Sequence, residues 1–231
     1  MIRAVVTGAN RGIGLELVRQ LAARGDQVEA CVRTAGAATA LAALAGAQVR
    51  IHTVDVTAPT TVASLARSLG DGAVDTVFNV AGVFGEDDAV DTLAGDLSLG
   101  DAARTYDVDA LGALRVSLAL LPHLRRGQGK KLVHISSGLA SIADNSSGGY
   151  YGYRMAKAAL NMMSRSLAVD LRADGIASYV MDPGWVQTDM GGPSAPTPVA
   201  DSVRGILREV DHAGLGDSGE FLCWKGGRTI W

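Results

Sequence analysis

Tyr153 and Lys157 lie four residues apart at the start of a stretch, 154–172, that reads as a long helix. On a helix that spacing stacks a phenol and an ammonium on one face. A neighbouring cation favours phenolate, so the tyrosine pKa is expected to fall and the group can give or take a proton at a carbonyl or hydroxyl. A tyrosine and a lysine one turn apart are also an ordinary helix face. Tyr150 and Tyr151 lack the spacing and read as packing or substrate-side groups. What sets the pair apart is the series of strand-ending loops that precedes it.

The first loop is Thr7-Gly8-Ala9-Asn10-Arg11-Gly12-Ile13-Gly14, entered from the apolar run Ala4-Val5-Val6 and left through a run with apolar residues at 13, 17, 18 and 21. A strand therefore enters it and a helix leaves it. Its glycines allow a sharp turn and a close approach by another molecule, and the new helix presents free N–H groups and its positive end to a phosphate. Gly8, Asn10, Arg11, Gly12, Ile13 and Gly14 are thus candidates for holding a dinucleotide. The second strand ends at Arg33, where an NAD-selective fold would carry an acidic residue, and Glu29 comes too early to serve. Arg33 and Arg11 offer two guanidinium groups to a 2′-phosphate, which favours NADP(H) over NAD(H). At the next strand end, the Asp55 carboxylate can accept from an adenine amino group while the Val56 amide addresses the ring. In Asn79-Val80-Ala81-Gly82 the small residues let the main chain run beside a nucleoside, so Asn79, Ala81 and Gly82 join the candidates. Ser136-Ser137 ends a fifth strand.

These loops need elements to hold them. Strands are expected at 4–6, 28–32, 49–54, 74–80, 132–135 and 177–181, and helices at 37–45, 60–69, within 102–124 and at 154–172. Strands that alternate with helices and are apolar on both faces call for a parallel sheet covered on both sides. The expected fold class is α/β, a doubly wound Rossmann sheet flanked by helices on both faces, in a single domain spanning 1–231. Pro193, Pro196 and Pro198 mark 191–198 as a mobile lid or loop, within a substrate loop expected around 191–203. The substrate pocket is expected among 83–97, 139–151 and 191–203, with Trp185 and Tyr151 as possible aromatic walls.

Composition narrows the function classes. Of the 231 residues 48 % are hydrophobic and 19 % charged, which reads as globular. A net charge of −3 gives no electrostatic reason for nucleic acid or an anionic membrane as partner. No apolar run is long enough to span a bilayer, and the first strand begins without room for a signal peptide, so a cytoplasmic protein is expected. Cys31 and Cys223 form no paired motif, and His52, His123, His134 and His212 have no ligand spacing, so neither a disulfide framework nor a metal site is expected.

Taken in order, the first glycine-rich loop, Asp55-Val56, Asn79-Val80-Ala81-Gly82, Ser136-Ser137, Tyr153-x3-Lys157 and Pro183-Gly184 resemble the short-chain dehydrogenase/reductase family over essentially the whole chain. The resemblance implies that Tyr153 donates the proton in carbonyl reduction, Ser137 holds the substrate oxygen, and Lys157 binds the nicotinamide ribose and lowers the tyrosine pKa. It also implies that Pro183, Gly184, Val186 and Thr188 close over the nicotinamide. Asp109 stands where the family usually has an asparagine supporting a proton-relay water. An ionised Asp only accepts hydrogen bonds, so the relay is expected to be altered, slower or more pH-dependent, with the backbone carbonyl still able to hold the water. Ser137 also lies further ahead of Tyr153 than is common. The residues between them, and the segment from Gly219 to Trp231, resemble the branch of C-factor-like proteins and Sniffer-type carbonyl reductases. The expected activity is NADPH-dependent reduction of an aldehyde or ketone, or the reverse, by a homodimer or homotetramer. Alternatives are a 3-oxoacyl-thioester reductase and a low-turnover NADP(H)-binding regulatory or signalling protein.

Overall fold

The computed structural model describes residues 1–34, 39–85 and 97–231. Its apolar runs pair as parallel strands β1 (Arg3–Thr7), β2 (Gln27–Val32), β3 (Val49–Thr53), β4 (Thr76–Asn79), β5 (Lys131–Ile135), β6 (Ala177–Asp182) and β7 (Phe221–Cys223), in the order β3-β2-β1-β4-β5-β6-β7. The order reverses between β1 and β4, and at such a switch point the loops leaving neighbouring strands part to open a crevice at the C-terminal edge. This is the doubly wound Rossmann sheet expected from the sequence. Strand alternation supplies its two cores. Ala4 and Val6 pack with Leu17 and Leu21 of α1 (Gly12–Ala23) and with Val203 and Ile206 of α7 (Val199–His212). Val5 faces the opposite side, with Leu65 of α3 (Pro59–Ser68), Leu120 of α5 (Gly112–Arg126) and Leu167 of α6 (Tyr151–Asp170). A slip of one residue would exchange the two faces, so burial fixes where β1 stops and its glycine-rich loop begins.

Several elements differ from expectation. The helix expected at 37–45 is the short α2 (Thr39–Ala42), and residues 37 and 38 lie outside the described residues. The long helix expected within 102–124 is divided into α4 (Leu99–Tyr106), a π-helical segment (Asp107–Leu111) and α5. A π turn inserts an extra residue, and this one carries Asp109 and Ala110 into the interior. The loop expected at 191–203 ends earlier, because α7 begins at Val199. Pro198, with φ −59°, sits just ahead of the first turn, where proline is compatible with a helix start. Residues 191–198 fold back on the preceding segment: the Gln187 amide donates to the Thr197 carbonyl at 2.8 Å and Trp185 Nε1 to the Gly191 carbonyl at 2.8 Å. Strand β7 had no counterpart in the sequence reading. Among the described residues no helix is long and apolar enough to cross a membrane.

Candidate active site

A cleft of about 1260 Å³ opens at the C-terminal ends of the strands. Of the residues singled out from the sequence for cofactor or chemistry, all but Asn79 and Asp109 line it. Gly8 has φ +65°, and a Cβ there would stand 2.9 Å from the Ala81 backbone, so a glycine is required for the first loop to lie on the end of β4. Arg11 precedes α1 with extended backbone and makes no side-chain cap, which leaves the first N–H groups of the helix available at the cleft.

Arg11 and Arg33 both line the cleft, but they are not equally free. Arg11 Nη1 lies 3.0 Å from Asp189 Oδ2, linking the first loop to the loop after β6. Both side chains are largely exposed, and such a pair is worth about 0–1 kcal/mol, little enough for an incoming phosphate to displace it. Asp55 is held below the usual carboxylate range by its hydrogen bond from Thr57 and, further off, by Arg33. Glu29 is buried and engaged by Arg3 at 2.6 Å and His52 at 2.6 Å, so its carboxylate is committed within the β1–β3 region and does not line the cleft.

Ser137 follows β5, and its Oγ accepts from the Leu139 amide at 3.1 Å, leaving the hydroxyl proton to be donated elsewhere. Tyr153 and Lys157 stand on the first turns of α6, with Nζ 5.5 Å from the phenol ring centroid. Tyr153 is 8 % exposed and Lys157 5 %. The Lys157 ammonium donates to the Ile135 carbonyl at 3.0 Å and meets Asp109 Oδ2 at 3.0 Å. Burial alone would push Lys157 down, but Asp109 and Tyr153 outweigh it and raise the ammonium above its ordinary value. Burial raises the Asp109 carboxyl against the opposing influence of Lys157 and the Val83 amide.

The expected fall in the Tyr153 pKa is overturned: the phenol is raised above its ordinary value. Burial is the main cause. The Lys157 ammonium opposes it, as does the Ser137 hydroxyl, while Asp109 and Asp182 add to the rise. The sequence argument treated the lysine as an isolated cation, whereas its charge is shared with a carboxylate from another element.

Asn79 is the second correction. It is buried, with Nδ2 3.1 Å from Ser117 Oγ and 3.2 Å from His134 Nδ1, while His134 Nε2 reaches Ser178 Oγ at 3.2 Å. Burial lowers the His134 imidazole to about 3, which leaves it neutral and able to join this chain as both donor and acceptor. Asn79 therefore ties β4 to α5 and β5 and does not face the cleft.

The sequence reading did not single out Phe84, whose ring lies 4.7 Å from that of Tyr153 and 5.5 Å from that of Tyr150. An aromatic residue two positions beyond Gly82 was the available signal. Tyr150 lines the cleft in a left-handed conformation, φ 55° and ψ 38°, an unusual geometry for a residue with a side chain. Trp185 lines it too, whereas Tyr151, the first residue of α6, does not. Of the pocket segment expected at 83–97, residues 86–96 lie outside the described residues.

A doubly wound sheet with a glycine-rich turn after β1, and serine, tyrosine and lysine side chains gathered at the same edge, defines a dinucleotide-dependent class of oxidoreductase. The chain belongs to the short-chain dehydrogenase family, which residues 3–198 match. It is 46 % identical to the C-signal of Myxococcus xanthus over 168 residues, covering 73 % of this chain and 99 % of the relative. It is 35 % identical to the 1-hydroxy-2-glutathionyl-2-methyl-3-butene dehydrogenase of Rhodococcus sp. strain AD45 over the full length of both. Among solved structures, the carbonyl reductase Sniffer of Drosophila melanogaster superposes with a TM-score of 0.94 at 29 % identity, covering 100 % of both chains. The NADPH-bound carbonyl reductase from chicken fatty liver gives 0.91 at 31 %, covering 100 % of this chain and 99 % of the other.

Proposed function

We propose that the chain is a cytoplasmic, NADP(H)-dependent carbonyl reductase, able to run in reverse as an alcohol dehydrogenase, with a Ser137-Tyr153-Lys157 site. The observation that carries this reading is that these three side chains line one cleft with the capless start of α1 and the arginines at the ends of β1 and β2. The cleft fits the cofactor: a Cβ at Gly8 would obstruct the turn at its floor, and the open N–H groups of α1 suit a pyrophosphate. Gly8, Asn10, Arg11, Gly12, Ile13 and Gly14 would hold that group, and Arg33 with Arg11 the 2′-phosphate. Asp55, Val56, Ala81 and Gly82 would border the adenosine, Tyr153 and Lys157 the nicotinamide ribose, and Pro183, Gly184, Val186 and Thr188 the carboxamide end. When bound, the nicotinamide supplies or accepts the hydride.

The remaining work falls to the protein. Ser137, its lone pair engaged by Leu139, donates its hydroxyl to the carbonyl oxygen and orients it. Tyr153 donates the proton that the oxygen takes as the carbon is reduced. Both donors act in a cleft that Phe84, Tyr150 and Trp185 also line. Assembly as a homodimer or homotetramer belongs to the same reading, since Leu118, Met155, Met162 and Val169 on α5 and α6 are each more than half exposed. Light scattering on a sizing column tests it.

The test of activity is steady-state NADPH oxidation with quinones, diketones and aldehydes, and NADP⁺ reduction with a glutathionyl alcohol. Turnover of at least one compound class is expected. Tight NADPH binding with no turnover across the panel would favour the second reading, a regulatory or signalling NADP(H)-binding protein, to which the likeness to the C-signal points. For cofactor choice, Arg33→Ala should weaken NADPH binding by roughly ten- to a hundredfold, as expected for loss of a charge-assisted contact of about 1.5–3 kcal/mol, and leave NADH nearly unchanged. Equal weakening of both cofactors would remove Arg33 from the 2′-phosphate.

A further inference from the structure

Asp109 is held from two separate parts of the chain, the loop after β4 and helix α6. One carboxylate oxygen accepts from the Val83 amide at 2.8 Å. The other meets the Lys157 ammonium at 3.0 Å, and that ammonium also donates to the Ile135 carbonyl. The two side chains are 0 % and 6 % exposed. A Cβ on Gly82 would come within 3.0 Å of Asp109 Oδ2 and 3.3 Å of Lys157 Nζ, so only a glycine lets the pair close without displacing it. The π-helical turn at Asp107–Leu111 is what delivers the carboxylate to this position. The ion pair is therefore built by the π segment, the end of β4, the end of β5 and α6 together.

Its effect reaches Tyr153 through Lys157. An ammonium alone beside a phenol favours ionisation of the phenol, but an ammonium closed onto a carboxylate acts as a dipole whose field falls off faster. The groups facing Tyr153 are Lys157 from α6, Asp109 from the π segment, Asp182 from the end of β6 and the Ser137 hydroxyl beyond β5. The Tyr150 ring also packs against Phe84, at 5.5 Å. Two carboxylates thus oppose one ammonium.

We propose that Asp109 is a positioning residue that, by pairing with Lys157, keeps Tyr153 carrying its proton and so sets the site toward carbonyl reduction over alcohol oxidation. In reduction the carbonyl carbon gains a hydride from the reduced nicotinamide, the Tyr153 O–H bond breaks as the product O–H bond forms, and the phenolate recovers a proton from solvent. In oxidation the phenol must first lose that proton, so the reaction waits for higher pH. The directional consequence rests on the reductase reading, while the state of Tyr153 can be measured without turnover.

The experiment titrates phenolate absorbance in the ligand-free protein and subtracts the same titration of Tyr153→Phe. Tyr153 should ionise above the ordinary tyrosine value of about 10. Ionisation below that value overturns the proposal, whether or not any carbonyl compound is turned over. Asp109→Asn keeps an acceptor for the Val83 amide and removes the charge. It should move Tyr153 ionisation, and the acid limb of alcohol oxidation, down by roughly one to two pH units. Equal loss of rate in both directions with the limb and the titration unmoved would mean that Asp109 serves only the fold. Should Asp109→Asn fail to fold, Asp109→Ser, which also removes the charge and can still accept from the Val83 amide, is titrated in its place, and a Tyr153 ionisation unmoved from the wild type overturns the proposal.

Discussion

Tyr153→Phe should lower the rate of carbonyl reduction by about 10²–10⁴-fold, the usual worth of a positioned proton donor, and leave NADPH affinity nearly unchanged. The variant keeps the ring, its packing against Phe84 at 4.7 Å, and its place among buried groups, so the substitution removes an O–H and little else. Lys157 retains its bonds to Ile135 and Asp109, neither of which passes through the phenol. Binding by the glycine-rich loop and the arginines is therefore intact, and the loss should appear in kcat. Steady-state NADPH oxidation and fluorescence titration of NADPH separate the two effects. A variant as fast as the parent would show that another group supplies the proton, and the site proposed above would lose its central member.

The parts of this site that were legible in the sequence are those defined by position along a strand–loop–helix repeat. Gly8 to Gly14, Asp55, Ser137, Tyr153 and Lys157 each follow a strand end or begin a helix, and a parallel sheet brings such ends to one edge whatever the details of packing. Side-chain direction at those ends was not legible. Asn79 ends its strand as Asp55 follows its own, yet its Nδ2 is engaged by Ser117 and His134 in the interior. Nothing local to 79–82 reveals partners 38 and 55 residues away.

The same limit explains the Tyr153 pKa. Spacing on a helix reveals the nearby cation, but Asp109 arrives from a segment whose π turn carries no periodic signature. Helix α7 was missed for a different reason. Val199, Val203, Ile206 and Val210 recur with helical spacing, and three of them are buried, but the substrate loop expected around 191–203 covers the first half of that pattern. Pro198 in fact occupies a place where proline and a helix start are compatible.

Lys157→Met tests the ion pair from its other side and should cost stability as well as activity. Methionine fills much of the volume but leaves the Asp109 carboxylate enclosed with the Val83 amide and no cation. Breaking a buried pair by removing one partner costs about 3–5 kcal/mol, most of it the cost of the stranded charge. Burial already raises the Asp109 carboxyl, and without the ammonium nothing comparable opposes it. A carboxyl that holds its proton more tightly in the folded than in the unfolded chain favours folding below the unfolded value of about 3.9 and loses that advantage as pH rises. The variant's deficit should therefore be smallest near pH 4 and grow toward pH 7, as urea midpoints at a series of pH values would register. Adding Asp109→Asn to Lys157→Met removes the stranded charge, so the double variant should recover most of the lost stability and show a flatter dependence on pH. A deficit that is the same at every pH and is untouched by the second substitution would place the cost in lost packing of the lysine stem, and the carboxylate would have no part in it.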